Sequence, residues 1–208
     1  MAPSRMSPTA HCTGAIIAGG RATRFGGVAK GLEQVGGVRI IDRVVAALRE
    51  SCDELIIIAN DPSAHEWIPG TRVVPDIRAG AGALGGVHAA LSNAREAALI
   101  LAWDAPFVPA ALMRALREAG EAAGADAATA TSNSPWGFEP LCAWYSVSCL
   151  AAVERHLDSN DLHAGSWLRD VRSVQLNSSP WGDADEIFFN VNSADDLTMA
   201  NALARRPA

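Results

Sequence analysis

The sequence predicts an α/β fold, a single domain built as a three-layer sandwich around a mostly parallel sheet. Two observations predict it. Short apolar or β-branched runs alternate with stretches of helical periodicity along the chain, the order that buries a parallel sheet between two layers of helices. Nearly every apolar run also stops at Gly, Asn or Asp, and such sheets take their ligands at the carboxyl ends of their strands. With 208 residues, 49% hydrophobic and 19% charged, the chain is long enough to bury roughly 70% of its unfolded surface without staples. No apolar run approaches the about 18 residues that cross a membrane. Residues 1–12 read as a flexible N-terminal leader and 13–206 as the domain.

Gly14 to Ala18 is a short apolar run that feeds into Gly19-Gly20, a buried strand entering a glycine loop. Ile40 to Arg49 places Ile40, Ile41, Val44, Val45 and Leu48 on one helical face. Glu54 to Ala59 is a β-branched run closed by Asn60-Asp61-Pro62, a second strand, and Arg72 to Val74 is a short third one ended by Pro75-Asp76. A helix over Leu84 to Arg95 and a strand over Ala97 to Trp103 follow, the strand closing at Asp104-Ala105-Pro106. Pro109 sits where the first turn of a helix accepts proline, which starts the helix Ala110 to Ala123. The remainder reads as strands at Ala125–Thr131 and Pro140–Val147, helices at Val147–His156 and Ser166–Arg169, strands near Arg172–Leu176 and Ile187–Val191, and a last helix over Asp195–Arg205.

Seventeen Lys and Arg against 23 Asp and Glu give a formal charge of −6. That charge disfavours nucleic acid and membrane surfaces as partners, both being polyanions. An anionic ligand must therefore be gripped by a local cluster of donors. Cys12, Cys52, Cys142 and Cys149 form no C-x-x-C pair, so zinc and thioredoxin-type chemistry are absent and the thiols read as buried. The five histidines have no metal spacing. The first apolar stretch is too short for a secretory signal, so the chain reads as cytoplasmic.

One segment supplies the required donors. Ala18-Gly19-Gly20-Arg21-Ala22-Thr23-Arg24-Phe25-Gly26-Gly27-Val28-Ala29-Lys30 follows the first strand. Glycines let backbone N–H groups close on an anion, with Arg24 as a fork and Lys30 as a point charge. No Gly-Lys-Ser/Thr follows, so this is not a Walker loop.

The segment resembles the signature L-A-G-G-x-x-x-R-M-G-x-D-K of the molybdenum cofactor guanylyltransferase family. Further pieces match in the family's order: Val74-Pro75-Asp76; Gly82-Ala83-Leu84-Gly85-Gly86 for G-P-L-x-G; Trp103-Asp104-Ala105-Pro106 for C-D-x-P; Pro140-Leu141-Cys142-Ala143-Trp144-Tyr145 for P-L-x-A-L-Y; and Phe189-Asn190-Val191-Asn192-Ser193 for F-x-N-V-N-T. The resemblance spans roughly Gly14 to Ala204. It departs at Ala29, where the family has Asp, and at Ala83, where it has Pro.

The resemblance implies a Rossmann-like sandwich of the nucleotide-diphospho-sugar transferase type. It further implies transfer of GMP from GTP to molybdopterin with Mg²⁺ and release of pyrophosphate, the product passing to a molybdoenzyme or a cofactor-insertion protein. Ile17, Ala18, Gly19, Gly20, Lys30, Asn60, Asp76 and Asp104 would contact the nucleotide, with Arg24, Lys30 and Asp104 as catalytic groups. Asp104, at a strand end before proline, would hold the metal with Asn192. Asn190 alternates with Asn192 about Val191 and would position backbone or phosphate. The acceptor phosphate is already ionised, so no general base is expected. Arg169 and Arg172 are candidates for the pterin, as are the turn residues Trp136 and Trp181. Arg24 and Lys30, read as exposed loop charges, are expected to matter little for folding, and loss of the Asp104 carboxylate is expected to leave melting almost unchanged.

Three other readings compete. Gly80-Ala81-Gly82-Ala83-Leu84-Gly85 is a literal G-x-G-x-x-G with Asp104 19 positions on, the pattern of an NAD-dependent oxidoreductase. That reading leaves the Gly19–Lys30 loop and Asn190-Val191-Asn192 unused, and its strand does not run straight into the glycines. A non-catalytic nucleotide-binding protein and a cytidylyl- or sugar-nucleotidyltransferase share the expected fold. Ala-Gly-Gly at the strand end resembles the guanylyl form, where cytidylyl relatives read Ala-Ala-Gly.

Overall fold

The first apolar run forms strand β1 (Cys12–Ile17), with every residue buried. The computed structural model describes residues 10–19, 24–25 and 28–206, with only the backbone of Arg24, Phe25 and Val28. Cys12 already pairs in the sheet, opposite Ala97. Most of the expected leader, 1–9, lies outside the described residues.

Two small hairpins follow, β2 (Arg24–Phe25) with β3 (Val28–Ala29) and β4 (Gln34–Val35) with β5 (Val38–Arg39). A 3-10 turn, Lys30–Leu32, joins them. Then come α1 (Ile40–Arg49), β6 (Glu54–Ile58), α2 (Ala64–Trp67), β7 (Arg72–Val74), α3 (Gly82–Asn93), β8 (Ala97–Ala102) and α4 (Ala110–Ala123). The chain continues through β9 (Ala127–Thr131), β10 (Phe138–Ser146), α5 (Leu150–Asp158), β11 (Ser173–Leu176), α6 (Ala184–Ile187) and α7 (Ala194–Leu203).

Seven strands make one sheet in the order β11-β9-β10-β8-β1-β6-β7. All neighbours are parallel except β10, which runs against both β8 and β9. Alternation along the strands divides the core in two. Ala97, Leu99 and Leu101 of β8 face a core shared with Ile41, Val44 and Leu48 of α1 and Leu112, Met113 and Leu116 of α4. Ala98 and Ile100 face the opposite core, with Leu84, Val87 and Leu91 of α3 and Val153 and Leu157 of α5. Both faces are thus covered, as the continuous apolar strands require.

Strand order reverses at β1. The chain leaves β1 toward β6 and β7, then crosses back through α3 to place β8 on the other side. Such a reversal opens a crevice at the strands' carboxyl ends. Here those ends are Ile17 and Ala102, joined beyond the ladder by Trp103 N–H donating to the Ile17 carbonyl at 3.1 Å. Helix α3 packs tightly on β1 through Gly86, where a Cβ would come within 2.8 Å of Ile17 Cγ2.

The strand expected at Ile187–Val191 is not one. Asp183 caps a short helix instead, its carboxylate accepting from Asp185 N–H at 2.9 Å. Ile187 N–H then bonds the Asp183 carbonyl at 2.9 Å, so the apolar residues that suggested a strand end a helical turn. Only Val191 pairs in strand-like fashion, donating to the Asp104 carbonyl at 2.9 Å. Among the described residues no helix is long and apolar enough to cross a membrane.

Gly120, inside α4, lies against β10: a Cβ there would stand 2.2 Å from Trp144 Cε3. Alanine should gain up to about 1 kcal/mol of helix propensity but cost more through overpacking against a rigid indole. Gly120→Ala is therefore expected to lower the melting temperature by roughly 3–8 °C in differential scanning calorimetry.

Candidate active site

Three side chains from positions 30, 104 and 192 meet at the carboxyl ends of β1 and β8. The Lys30 ammonium donates to the Asp104 carboxylate and, at 2.8 Å, to Asn192 Oδ1. Lys30 is only 6% exposed. It is not the exposed loop charge the sequence suggested, and the expectation that its removal leaves stability untouched is overturned. A cation withdrawn from water must keep its partners, and removing one of them leaves the other charge uncompensated.

Each member has a local reason for its place. Lys30 opens the 3-10 turn, and Gly31 beside it lies on the Trp103 ring, where a Cβ would stand 2.3 Å from Cε3. Trp103 is buried and stacks on Trp67 with ring centroids 4.9 Å apart. Asp104 follows Trp103 directly, so the contact that seats the indole also sets the lysine on the carboxylate. Val191 is fully buried and bonded to the Asp104 carbonyl, which puts the exposed Asn190 and Asn192 on either side of it. Ser193 caps α7 by accepting from Asp196 N–H at 3.1 Å, and Asp196 accepts from Asn192 N–H at 2.9 Å. That backbone bond is the leading cause holding the Asp196 carboxyl below its ordinary range.

Two cavities adjoin this cluster and share Ala102, Asp104 and Leu141 in their walls. The first, about 150 Å³, is lined by Ile17, Gly19, Asp76, Gly82 and Gly86. A Cβ on Gly19 would meet no atom of the described residues within 4 Å. Asn60 and Asp76 form a reciprocal pair at its edge: Asn60 Nδ2 donates to Asp76 Oδ2 at 2.7 Å, and Asp76 N–H donates to Asn60 Oδ1 at 2.9 Å. Helix α3 begins at this cavity with Gly82 in the left-handed region at φ +58. Its cap residue Ala81 has no side-chain acceptor, so the first amides of the helix keep their capacity for an anion. The second cavity, about 280 Å³, is lined on the other side of Asp104 by Trp136, Glu139, Cys142 and Asn190.

Ile17, Gly19, Asp76 and Asp104 thus surround one cavity, with Ala18 buried at the strand end and Lys30 and Asn192 on Asp104. Gly20 and the side chain of Arg24 lie outside the described residues. Arg169 and Arg172 do not belong to this site. They line a groove with Asp126 and Ser148, near the amino-terminal ends of the parallel strands, where Arg172 pairs with Asp126 at 3.3 Å. Trp181 packs partly buried against the core. Gly31, Leu141 and Glu139 escaped the sequence reading. Only Pro140-Leu141 within a recognised motif pointed toward any of them, because packing against Trp103 leaves no trace in local pattern.

Both donors that would hold a metal are oxygens, a carboxylate and an amide converging on one ammonium. Such hard donors suit magnesium, which takes few protein ligands. Among the described residues no group of three His, Cys, Asp or Glu is placed to hold a metal.

A glycine at the strand end, a helix amino terminus and a Lys–Asp–Asn cluster at the switch point are the parts a transferase of nucleotide phosphates requires. Residues 14–176 match the MobA-like NTP transferase domain, and the chain belongs to that family. It is 37% identical over 198 residues, covering 93% of this chain and 94% of the relative, to a probable molybdenum cofactor guanylyltransferase of Pelotomaculum thermopropionicum. The corresponding values for the molybdenum cofactor guanylyltransferase of Desulfosudis oleivorans are 33% over 195 residues, 91% and 94%. The crystal structure of molybdopterin-guanine dinucleotide biosynthesis protein A from Archaeoglobus fulgidus superposes with a TM-score of 0.75 at 25% identity, covering 92% of this chain and 97% of that one. The chain is a nucleotidyltransferase.

Two outcomes follow from the buried ion pair. Lys30→Ala and Asp104→Ala should each melt about 6–12 °C below the parent, while the double variant should melt closer to it because no lone charge remains. Gly31→Ala should push the turn off Trp103 and lower kcat/KM by roughly tenfold to a hundredfold, since a displacement near 1 Å is enough to misplace Lys30. Unchanged turnover in that variant would show that the Gly31–Trp103 contact does not set the site.

Proposed function

We propose that the chain transfers GMP from GTP to the terminal phosphate of molybdopterin, forming the guanine dinucleotide cofactor and pyrophosphate. The observation that carries this reading is Asp104, bonded to Lys30, in the shared wall of two adjoining cavities. The names of the relatives, molybdenum cofactor guanylyltransferase, supply the choice of substrates.

In this reading the guanosine lies over Ile17 to Gly19, where the missing side chain of Gly19 leaves room for a purine, with Asn60 and Asp76 at its edge. The phosphates meet the amino-terminal amides of α3 and the Lys30 ammonium. A phosphate oxygen of the acceptor attacks the α-phosphorus of GTP from the second cavity. The bond from that phosphorus to the bridging oxygen breaks, and pyrophosphate leaves with its electrons. The attacking oxygen is already ionised, so no side chain has to take a proton. Asp104 and Asn192 would hold Mg²⁺, which neutralises charge on the phosphate oxygens when bound. Lys30 keeps both oxygen ligands in position and adds one positive charge of its own. The family resemblance assigns Arg24 to the phosphates as well, and Asn190 positions the acceptor's phosphate. The reduced thiols, all four free, fit a cytoplasmic site of action. The product would pass to a molybdoenzyme or a cofactor-insertion protein.

Incubation with molybdopterin, Mg²⁺ and each nucleoside triphosphate in turn tests the reading, with product identified by mass. GTP should be used and CTP poorly, because a site that hydrogen-bonds one base leaves groups unpaired with another. Chelation of the divalent ion should abolish turnover. Equal use of CTP and GTP would remove the guanine assignment.

A further inference from the structure

Strand β10 breaks its register with β9 between Phe138 and Ala143, and the irregularity forms one wall of the 280 Å³ cavity. Its cause is local. Pro140 has no N–H for the ladder, and the buried Tyr145 hydroxyl instead donates to the Pro140 carbonyl at 2.9 Å. Such bulges re-aim side chains beside active sites. Here the side chain is Glu139, half-buried in the cavity wall.

Burial pushes the Glu139 pKa up, and the neighbouring Ser132 and Ser134 hydroxyls only partly oppose it. The ion-pair geometry gives it no Lys, Arg or His partner among the described residues. The same cavity is lined by Trp136, 42% exposed. It is seated rather than free: Gly165 leaves room for the ring, since a Cβ there would stand 3.0 Å from Trp136 Cδ2, and the His163 ring lies 6.0 Å away. A carboxylate without a cation, beside a propped aromatic face, suits a flat heterocycle that presents two adjacent N–H donors.

We propose that this cavity is the acceptor's pterin site, in which Glu139 accepts both N–H donors of the 2-amino-4-oxopyrimidine edge and Trp136 stacks on the ring. The proposal rests on the guanylyltransferase reading, and it places the acceptor's ring so that its phosphate-bearing tail can run to Asp104 in the same wall. Guanine carries the same pair of donors. The cavity around Ile17, Gly19 and Asp76 is the place assigned to it, so the test must separate the two sources.

The probe is 2-amino-4-oxopteridine, followed by its own fluorescence on titration with the full chain. Saturable quenching is expected, and excess GTP with Mg²⁺ should leave it in place. Glu139→Met and Trp136→Ala should each weaken binding about tenfold or more, from lost bonds to a charged acceptor and lost stacking respectively. Trp136→Phe keeps a ring and should bind within about threefold of the parent. In all three, the KM for GTP should be unchanged. Trp136 is a surface residue, so its variants remain informative if Glu139→Met disturbs the Ser132–Ser134 turn. Absence of saturable binding by the parent chain, parent-like binding by Trp136→Ala, or displacement of the pterin by GTP would each overturn the assignment. Wild-type chain that binds the pterin but releases no pyrophosphate from GTP and molybdopterin would instead defeat the transferase reading.

Discussion

The Lys30 ammonium, taken out of water and held between Asp104 and Asn192, is the constraint on which the rest of the site depends. A buried cation is stable only with its partners in reach, so the fold has to deliver residues 30, 104 and 192 to one point. Adjacency of β1 and β8 delivers the first two. The bond from Val191 N–H to the Asp104 carbonyl delivers the third, and the Ser193–Asp196 cap fixes the chain just after it. Gly31 on the Trp103 ring controls how closely the lysine turn approaches. None of these contacts is chemistry, yet each decides where the chemistry stands.

The same arrangement explains the departure at Ala29. A carboxylate at that position would lie next to Lys30, but Ala29 is buried in the main core and Lys30 is oriented by Asp104 and Asn192 instead. The glycine pattern that resembled a dinucleotide fingerprint is likewise absorbed. Gly80 and Gly82 take left-handed backbone, at φ +78 and +58, to start α3 at the cavity of Ile17 and Gly19, and Gly86 lets that helix lie close on β1. Gly82 and Gly86 line a cavity that is entered from a loop after β7 and shared with the end of β1.

Strand β10 is the element that turns one crevice into two. Running against its neighbours, it brings its beginning, not its end, to the carboxyl edge of the sheet. Leu141 therefore stands between the two cavities, and the bulge around Pro140 opens the second one.

Much of this was legible in order along the chain. The helices Ile40–Arg49 and Ala110–Ala123 and the strand Arg72–Val74 fall where periodicity and proline placed them, because burial of one face imposes a period on local sequence. Asp104 and Asp76 could be singled out as strand-end polar groups beside turn residues, and Asn192 by the motif around Val191. The two-residue hairpins around Lys30 could not be read, since two residues carry no period, and the run Ile187–Val191 misled because the Asp183 cap outweighs β propensity over so short a stretch. Arg169 and Arg172 were candidates for the pterin by resemblance, but they lie in the turn before β11, at the far end of the sheet. The sequence by itself determined the layered fold and the kinds of donor available, which are properties of neighbours along the chain. Tertiary structure alone decided that Lys30 is buried, that it meets Asp104 and Asn192 across gaps of 74 and 162 residues, and that Glu139 faces a cavity, because each depends on which distant segments pack together.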